Sequence, residues 1–462
     1  MNKRWYTTAW TTGTLTALLT LSACGSTPPA TQSKETPGAS GTPGTKTISL
    51  SVITSNRYLE TAKANFEAKH PDIKIDIKET IAAPKTDGKQ MVNIGGPKDT
   101  QSQEKYLSTV STELMSGKAS DLILVDQLPY KKYVDKKLLD NWNDWIKKDT
   151  SFDRSQYFTN VFDALIYKDG LYTLPIKASL NMLLGNQELL AGAAIDDTKW
   201  TWKDFKAIAD TKIQDVNKDG VPDGPAIGNL TDSDLLGLLL DSSYTQFVDA
   251  GAKKASFTGK PFLDMLELAK SMPKGPSGAS RDAALFQSIS PRQYEDMYFL
   301  TQTSFNGNGV YYNLPTEKEK KGLSFTSDLM LAMNSKSKYK AEAWEFVKYL
   351  LSEEMQVSRD LAGFAVHKNA NKKRSEELGV SKPGQQIKLM GKDGKEIVPK
   401  PPEPKDLARI EAYMSSVQTF AETDPKVRKI VLEESAPFFS GQKTAEETAK
   451  VIQNKVSTYL QE

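Results

Sequence analysis

The run Asp215-Val216-Asn217-Lys218-Asp219-Gly220-Val221-Pro222-Asp223 carries the sharpest chemistry-bearing spacing in the chain. Oxygen-bearing side chains at alternate positions, with glycine at the sixth, are the pattern of a Ca²⁺ loop. Asp215, Asn217, Asp219 and Asp223 would supply side-chain oxygens and Val221 its carbonyl, while Gly220 permits the sharp turn. The twelfth position is Ala226, so the bidentate glutamate of an EF-hand is missing. The expectation is a structural Ca²⁺ site, with a plain turn as the alternative. Catalytic motifs are sparse. The histidines are His70 and His367, and no GxSxG, HExxH or P-loop pattern occurs. Carboxylates are plentiful and a glycosidase needs only two of them, so a surface polysaccharide hydrolase or lyase stays open. Asp126 and Gln127 end an apolar run, Leu122 to Val125, which reads as a buried strand; such strand ends carry ligand contacts in open α/β sheets. Ser55-Asn56-Arg57-Tyr58 follows another strand and opens a helix. Ser55 or Asn56 suits a cap. Arg57 offers a planar donor fork and Tyr58 a flat face, both suited to sugars.

A different chemistry sits at the N-terminus. Lys3 and Arg4 precede a charge-free, mostly apolar stretch, Thr11 to Leu21, too short to span a bilayer, which takes about 20 apolar residues. It has the flanks of a signal peptide. Leu21-Ser22-Ala23-Cys24 resembles the lipobox of bacterial lipoproteins, in which the cysteine thiol takes a diacylglyceryl group. Cys24 is the only cysteine, which leaves no internal disulfide, no cysteine-ligated zinc and no CxxC redox chemistry. Residues 25–46 are rich in Pro, Gly, Ser and Thr and read as a flexible tether. Loss of Lys3 and Arg4 with the signal would cancel the formal charge of +2, and nothing suggests a nucleic-acid footprint.

The elements that must position these residues follow from periodicity. Ile48, Leu50 and Val52 alternate with polar residues as a strand; Tyr58, Ala62 and Phe66 recur at helical spacing; Ile73, Ile75 and Ile77 alternate again. His70-Pro71 ends the intervening helix. A polar insertion, 82–101, precedes a helix over 104–116. Strand, helix, strand, helix, strand predicts parallel strands with crossover helices. Further helices are expected at 131–139, 201–213, 261–272, 341–351, 404–419 and 444–460, the last opened by a Thr444/Glu447 capping box. Trp142, Trp145, Trp200, Trp202 and Trp344 read as packing.

Several phrases in order resemble the extracellular solute-binding proteins of bacterial ABC importers, which mostly carry oligosaccharides. They are the helix end Phe66-Glu67-Ala68-Lys69-His70-Pro71, Gly170 to Pro175, Trp200 to Phe205, Ala343 to Ser352, and Phe438-Phe439-Ser440-Gly441 before Ala445-Glu446-Glu447. The resemblance covers about residues 47 to 462. It implies a two-lobed, type II periplasmic-binding-protein-like α/β fold with ligand in the interlobe cleft. The implied plan is a signal peptide over 1–23 and a tether over 24–46. The first lobe would take 47–176 and 311–360, the second 177–310 and 361–462. Crossings would fall near Leu174–Ser179, Val310–Leu314 and Leu361–Phe364. The resemblance further implies cleft contacts from Lys177 and Ser179 after the first crossing, Gln302 and Phe305 in a stretch that carries cleft aromatics, Tyr311 at the second crossing and Phe364 at the third. The expected partners are a carbohydrate ligand, ABC permease subunits and a membrane reached through the lipid. The expected state is a monomer on the outer face of a cell membrane, in a Gram-positive organism. No catalytic role is expected. A non-transport sensor or adhesin on the same fold is the third reading.

Overall fold

The computed structural model describes residues 44–82, 100–213, 215, 218–220, 222–228, 230–274, 281–316, 323–379, 389–390, 396–397 and 403–461. Cys24, most of the tether and the bulk of the polar insertion lie outside them, as do Asn217 and Val221.

Alternation places the first strand as expected. In β1 (Lys46–Val52) Ile48, Leu50 and Val52 are fully buried. It runs parallel to β2 (Ile73–Glu79), with Ile48 opposite Ile75, and parallel to β3 (Leu122–Leu124), with Leu50 opposite Leu122. The helix Arg57–Lys69 crosses between the first two strands. Asn56 caps it by accepting the Leu59 N–H at 2.9 Å, and Leu59, Ala62 and Phe66 face inward. The helix Thr100–Ser116 makes the next crossover, and the Tyr106 hydroxyl donates toward the carbonyls of Ser51 and Leu124 at 3.0 and 2.7 Å, tying β1 to β3. β12 (Met330–Met333) and β4 (Leu174–Pro175) complete a five-stranded sheet in the order β2-β1-β3-β12-β4.

The chain leaves this sheet abruptly. Ile176 separates β4 from β5 (Lys177–Leu180), and Asn181 separates β5 from β6 (Met182–Asn186). β5 lies in a four-stranded sheet ordered β13-β5-β11-β16, where β13 is Phe364–Ala365, β11 is Leu323–Thr326 and β16 is Val417–Phe420. β6 is the centre of a three-stranded antiparallel sheet between β10 (Gly309–Asn313) and β9 (Phe286–Ile289). β7 (Val248–Asp249) with β8 (Lys254–Ala255) and β14 (Leu389–Met390) with β15 (Glu396–Ile397) form separate two-stranded sheets.

Two cores result. One fills the five-stranded sheet and continues through the crossing strands, taking in Phe325 and Phe364; the other gathers Trp200, Trp202, Phe205 and Phe286 with the helices Asp232–Phe247, Lys260–Ser271, Pro425–Phe439 and Ala445–Gln461. β6 serves both: Leu183 belongs to the second core, Met182 and Leu184 to the first. This is the mixed α/β, two-lobed architecture expected.

Two local expectations change. Gly309–Asn313 stays paired with β6, and passage back to the five-stranded sheet runs through Leu323–Thr326 rather than through 310–314. The helix expected over 404–419 stops at Ser416, because Val417–Phe420 pairs with β11; β-branched and aromatic residues there suit a strand edge. The C-terminal capping box forms, with the Thr444 N–H donating to Glu447 Oε2 at 2.9 Å and the Glu447 N–H to Thr444 Oγ1 at 3.1 Å.

Candidate functional site

The carboxyl end of β3 opens onto a cleft of about 780 Å³. One side is the segment Val125–Lys132, which runs from β3 into the short helix Tyr130–Asp135. The floor comes from the crossing strands: Ser179 and Asn181 from β5 and its exit, and Ser324, Thr326, Ser327 and Asp328 from the end of β11. The far wall belongs to the second core, with Asp241 and Ser242 on the helix Asp232–Phe247, Ser288 and Ser290 around the end of β9, and Glu422 to Arg428 leading into the helix Pro425–Phe439. Strand ends and helix starts thus converge, as ligand sites in open α/β sheets do.

Asp126, Gln127 and Ser179 are brought together here. Gln127 Nε2 donates to Asp126 Oδ2 at 3.0 Å, which fixes the carboxylate's orientation. Lys177 stands one layer behind. Its ammonium lies 2.8 Å from Asp328 Oδ1 and donates to the Ala362 carbonyl at 3.0 Å, and its side chain is 9% exposed. It therefore positions a cleft carboxylate and does not itself border the cleft. Gly363 leaves room for it, since a Cβ there would sit 2.6 Å from Lys177 Cδ.

The other expected contacts go elsewhere. Tyr58 is buried and donates its hydroxyl to the Leu350 carbonyl at 2.8 Å. Arg57 is exposed, with Nε 3.2 Å from Asp360 Oδ2, and does not border the cleft. Phe305 and Phe364 are core residues, and Phe364 lies edge-on to Tyr294 at 5.0 Å between centroids. Tyr311 is buried, its hydroxyl donating to the Asp296 carbonyl at 3.0 Å. Gln302 is half-buried near the end of the helix Tyr294–Thr303, away from the cleft lining. Tyr58, Phe305, Tyr311 and Phe364 bury their rings in the core, so they offer no platform to ligand.

In the loop expected to hold Ca²⁺, the Asp215 carboxylate accepts the backbone N–H groups of Asp219 at 3.1 Å and Gly220 at 2.8 Å. Asp219 and Asp223 are described; among the described residues no group of three or more His, Cys, Asp or Glu side chains could hold a metal ion.

Sequence reasoning missed most of the far wall. Arg428 Nε lies 3.1 Å from both carboxylate oxygens of Asp241. Burial pushes the Asp241 carboxyl above its usual range, and Arg428 pulls against that shift. Contacts also join the lobes along the cleft border. Lys131 pairs with Glu422, Lys429 Nζ lies 3.0 Å from Glu104, and Lys132 Nζ donates to the Tyr459 carbonyl at 3.0 Å while sitting 3.9 Å over that ring. Strand-end position is the one sequence signal that could have flagged Ser290 and Asp328; the ion pairs between distant segments carry none.

No curated protein sequence matches the chain. Solved structures do. The sugar-binding protein MalE of Xanthomonas citri is 14% identical over 90% of this chain and 98% of its own, at a TM-score of 0.58. An ABC substrate-binding protein of Listeria monocytogenes in complex with cycloalternan is 15% identical over 90% and 99%, at 0.55. A solute-binding protein of Thermotoga lettingae bound with α-D-tagatose is 16% identical over 90% and 100%, at 0.51. At such identities the likeness is one of fold. The family of bacterial extracellular solute-binding proteins matches residues 52–357, and with most of its length so matched the chain belongs to that family.

Proposed function

We propose that the chain is the substrate-binding protein of an ABC importer, capturing a carbohydrate in the interlobe cleft by hinge closure and handing it to a membrane permease. The observation that carries the reading is the cleft itself: about 780 Å³, with hydroxyl and charged side chains from both lobes set among aliphatic ones such as Leu128, Leu238 and Leu432. Polar groups of this kind match the hydroxyls of a sugar, and the volume is that of a small-molecule site. The family and its solved relatives are binding proteins, and the cycloalternan and tagatose complexes support a saccharide ligand here. The oligosaccharide expected from the sequence is one member of that class. The reading includes no catalytic step.

The family fits an extracellular or periplasmic location, and among the described residues no helix is long and apolar enough to cross a membrane. We propose attachment through a lipid on Cys24, with the tether holding a monomeric body off the outer face of a Gram-positive membrane. A Ca²⁺ ion on the Asp215–Asp223 loop belongs to the same proposal as a structural element remote from ligand.

The test is thermal melting of the purified chain against a panel of neutral and acidic saccharides. A ligand that binds only the folded state raises the melting temperature by mass action. The expected outcome is a clear rise with at least one saccharide, recovered intact. A saccharide consumed during incubation would replace the binding reading with an enzymatic one, and no rise with any saccharide would remove carbohydrate as the ligand.

A further inference from the structure

We infer that the cleft selects a short saccharide, a mono- or disaccharide, held by hydroxyl and charged side chains rather than stacked along aromatic platforms. This rests on the carbohydrate reading and narrows it. The first observation is the chemistry of the walls. Among the described residues six serines border the cleft, from both lobes and from the crossing strands between them, interleaved with aliphatic side chains such as Leu128, Leu238 and Leu432. A hydroxyl both donates and accepts, so it pairs with either role of a sugar hydroxyl. Arg292 adds an exposed guanidinium on the β9 side and has no carboxylate partner among the described residues.

The second observation is where the aromatic rings went. Trp142, Trp145, Trp200, Trp202 and Trp344 all donate their indole N–H groups to protein partners, at 3.1, 3.2, 3.1, 2.8 and 2.9 Å, and none borders the cleft. Tyr130 and Tyr244 touch it with 5% of their surface exposed, so neither offers a face. Among the described residues Phe420 is the remaining aromatic of the lining, and its ring packs on Phe325 at 5.3 Å. A long glycan gains affinity ring by ring from flat aromatic faces that stack on its C–H surfaces. Each hydrogen bond contributes little net free energy, more when one partner is charged, so a cleft built on them must converge many upon one small ligand.

The third observation is closure. The Lys131–Glu422 pair, the Glu104–Lys429 pair and the Lys132–Tyr459 contact bridge the lobes at the cleft border. A chain long enough to leave the cleft on that side must displace them, whereas a short ligand fits behind them.

The experiment is isothermal titration of the full chain, purified in detergent, with gluco-, galacto- and xylo-saccharides from monosaccharide to hexasaccharide. The expected result is that the best mono- or disaccharide binds about tenfold or more tightly than the tetrasaccharide of the same units. Affinity that stays level or climbs with each ring past the disaccharide overturns the inference while leaving carbohydrate binding intact. Binding to no saccharide of any length overturns the carbohydrate reading instead. Phe420→Leu supplies the second measurement, since it keeps packing on Phe325 and removes the ring. The expected change in affinity for the best ligand is below about threefold, and a loss of about tenfold would show that the ring is a platform and refute the inference.

Discussion

Replacing Gln356 with leucine tests how the lobes are joined. Gln356 is fully buried. Its amide nitrogen donates to the carbonyl of Ile176, between β4 and β5, at 2.8 Å, and to that of Leu350 at 3.0 Å; its amide oxygen accepts the N–H of Val366, which follows β13, at 2.9 Å. One side chain thus ties the first crossing segment to the third. Gln356→Leu keeps the approximate volume and removes all three bonds. The Leu350 carbonyl retains the Tyr58 hydroxyl at 2.8 Å, so the damage falls on Ile176 and Val366. A buried backbone group deprived of its partner costs about 1–3 kcal/mol, which gives about 2–6 kcal/mol for the pair. Against a total stability of about 5–15 kcal/mol, that is a large loss. Urea and thermal melts of the variant and the parent measure it. A loss below about 0.5 kcal/mol, the range of surface substitutions, would mean that these groups find other partners and that Gln356 does not hold the crossings together.

Three other outcomes follow from the geometry. Reversing either charge of the Glu104–Lys429 pair is expected to weaken ligand binding by less than about tenfold, with recovery in the swapped double variant and disappearance of the effect in high salt; unchanged titrations of the single variants would remove the pair from the closed state. Burial works against ionisation of Asp149, but hydrogen bonds from Lys348, Ser151 and Trp344 outweigh it and hold the carboxyl well below the usual range. Because the folded pKa is depressed, that stabilisation is complete above the unfolded value near about 3.9 and fades as pH falls towards the folded one. Asp149→Asn is therefore expected to cost about 2 kcal/mol at neutral pH, with the gap to the parent closing in melts below about pH 4; a gap that widens in acid refutes the assignment. Saturating Ca²⁺ is expected to raise the melting temperature, by the equivalent of about 2.7 kcal/mol at a hundredfold excess over Kd, and Asp219→Ala to abolish the rise; no response to Ca²⁺ in the parent chain makes the loop a plain turn.

The scaffold was legible where its signals are local. Ile48, Leu50 and Val52 alternate, Asn56 precedes a helical run, and Thr444 and Glu447 stand at capping-box spacing; each motif forms with the partners its spacing implies. The tryptophans also read correctly as packing. The cleft was legible only where a strand ends, at Asp126 and Gln127, and where the family resemblance marked a crossing, at Ser179. Aromatic residues misled the reading because a strand or helix start buried on both faces hides which side meets ligand. Tyr58 turns its hydroxyl to Leu350, far along the chain, and nothing near Tyr58 in sequence announces that. The far wall was invisible for the same reason. Asp241 and Arg428 form one ion pair from helices 187 positions apart, and each alone looks like a solvated surface charge.

The distribution of polar contacts bears on how such a cleft could open and close. At the crossings the bonds are buried. Gln356 reaches three backbone groups, Lys177 and Arg374 donate to the successive carbonyls of Ala362 and Gly363 at 3.0 and 2.7 Å, and the Tyr294 hydroxyl accepts the Ala365 N–H at 3.0 Å. Bonds of this kind are expensive to break because nothing replaces them. Along the cleft border the charge pairs are partly open to water: Lys429 and Glu104 are 37% and 56% exposed, and Lys131 and Glu422 23% each. When such a pair opens, water solvates both ends, so little is lost. On the proposed hinge closure the strong contacts would fix the axis about which the lobes move, and the weak ones would set the balance between open and closed. A border made of strong buried contacts would hold the lobes shut without ligand and remove the signal that binding provides. With weak ones, a ligand's preference for the closed form decides the population.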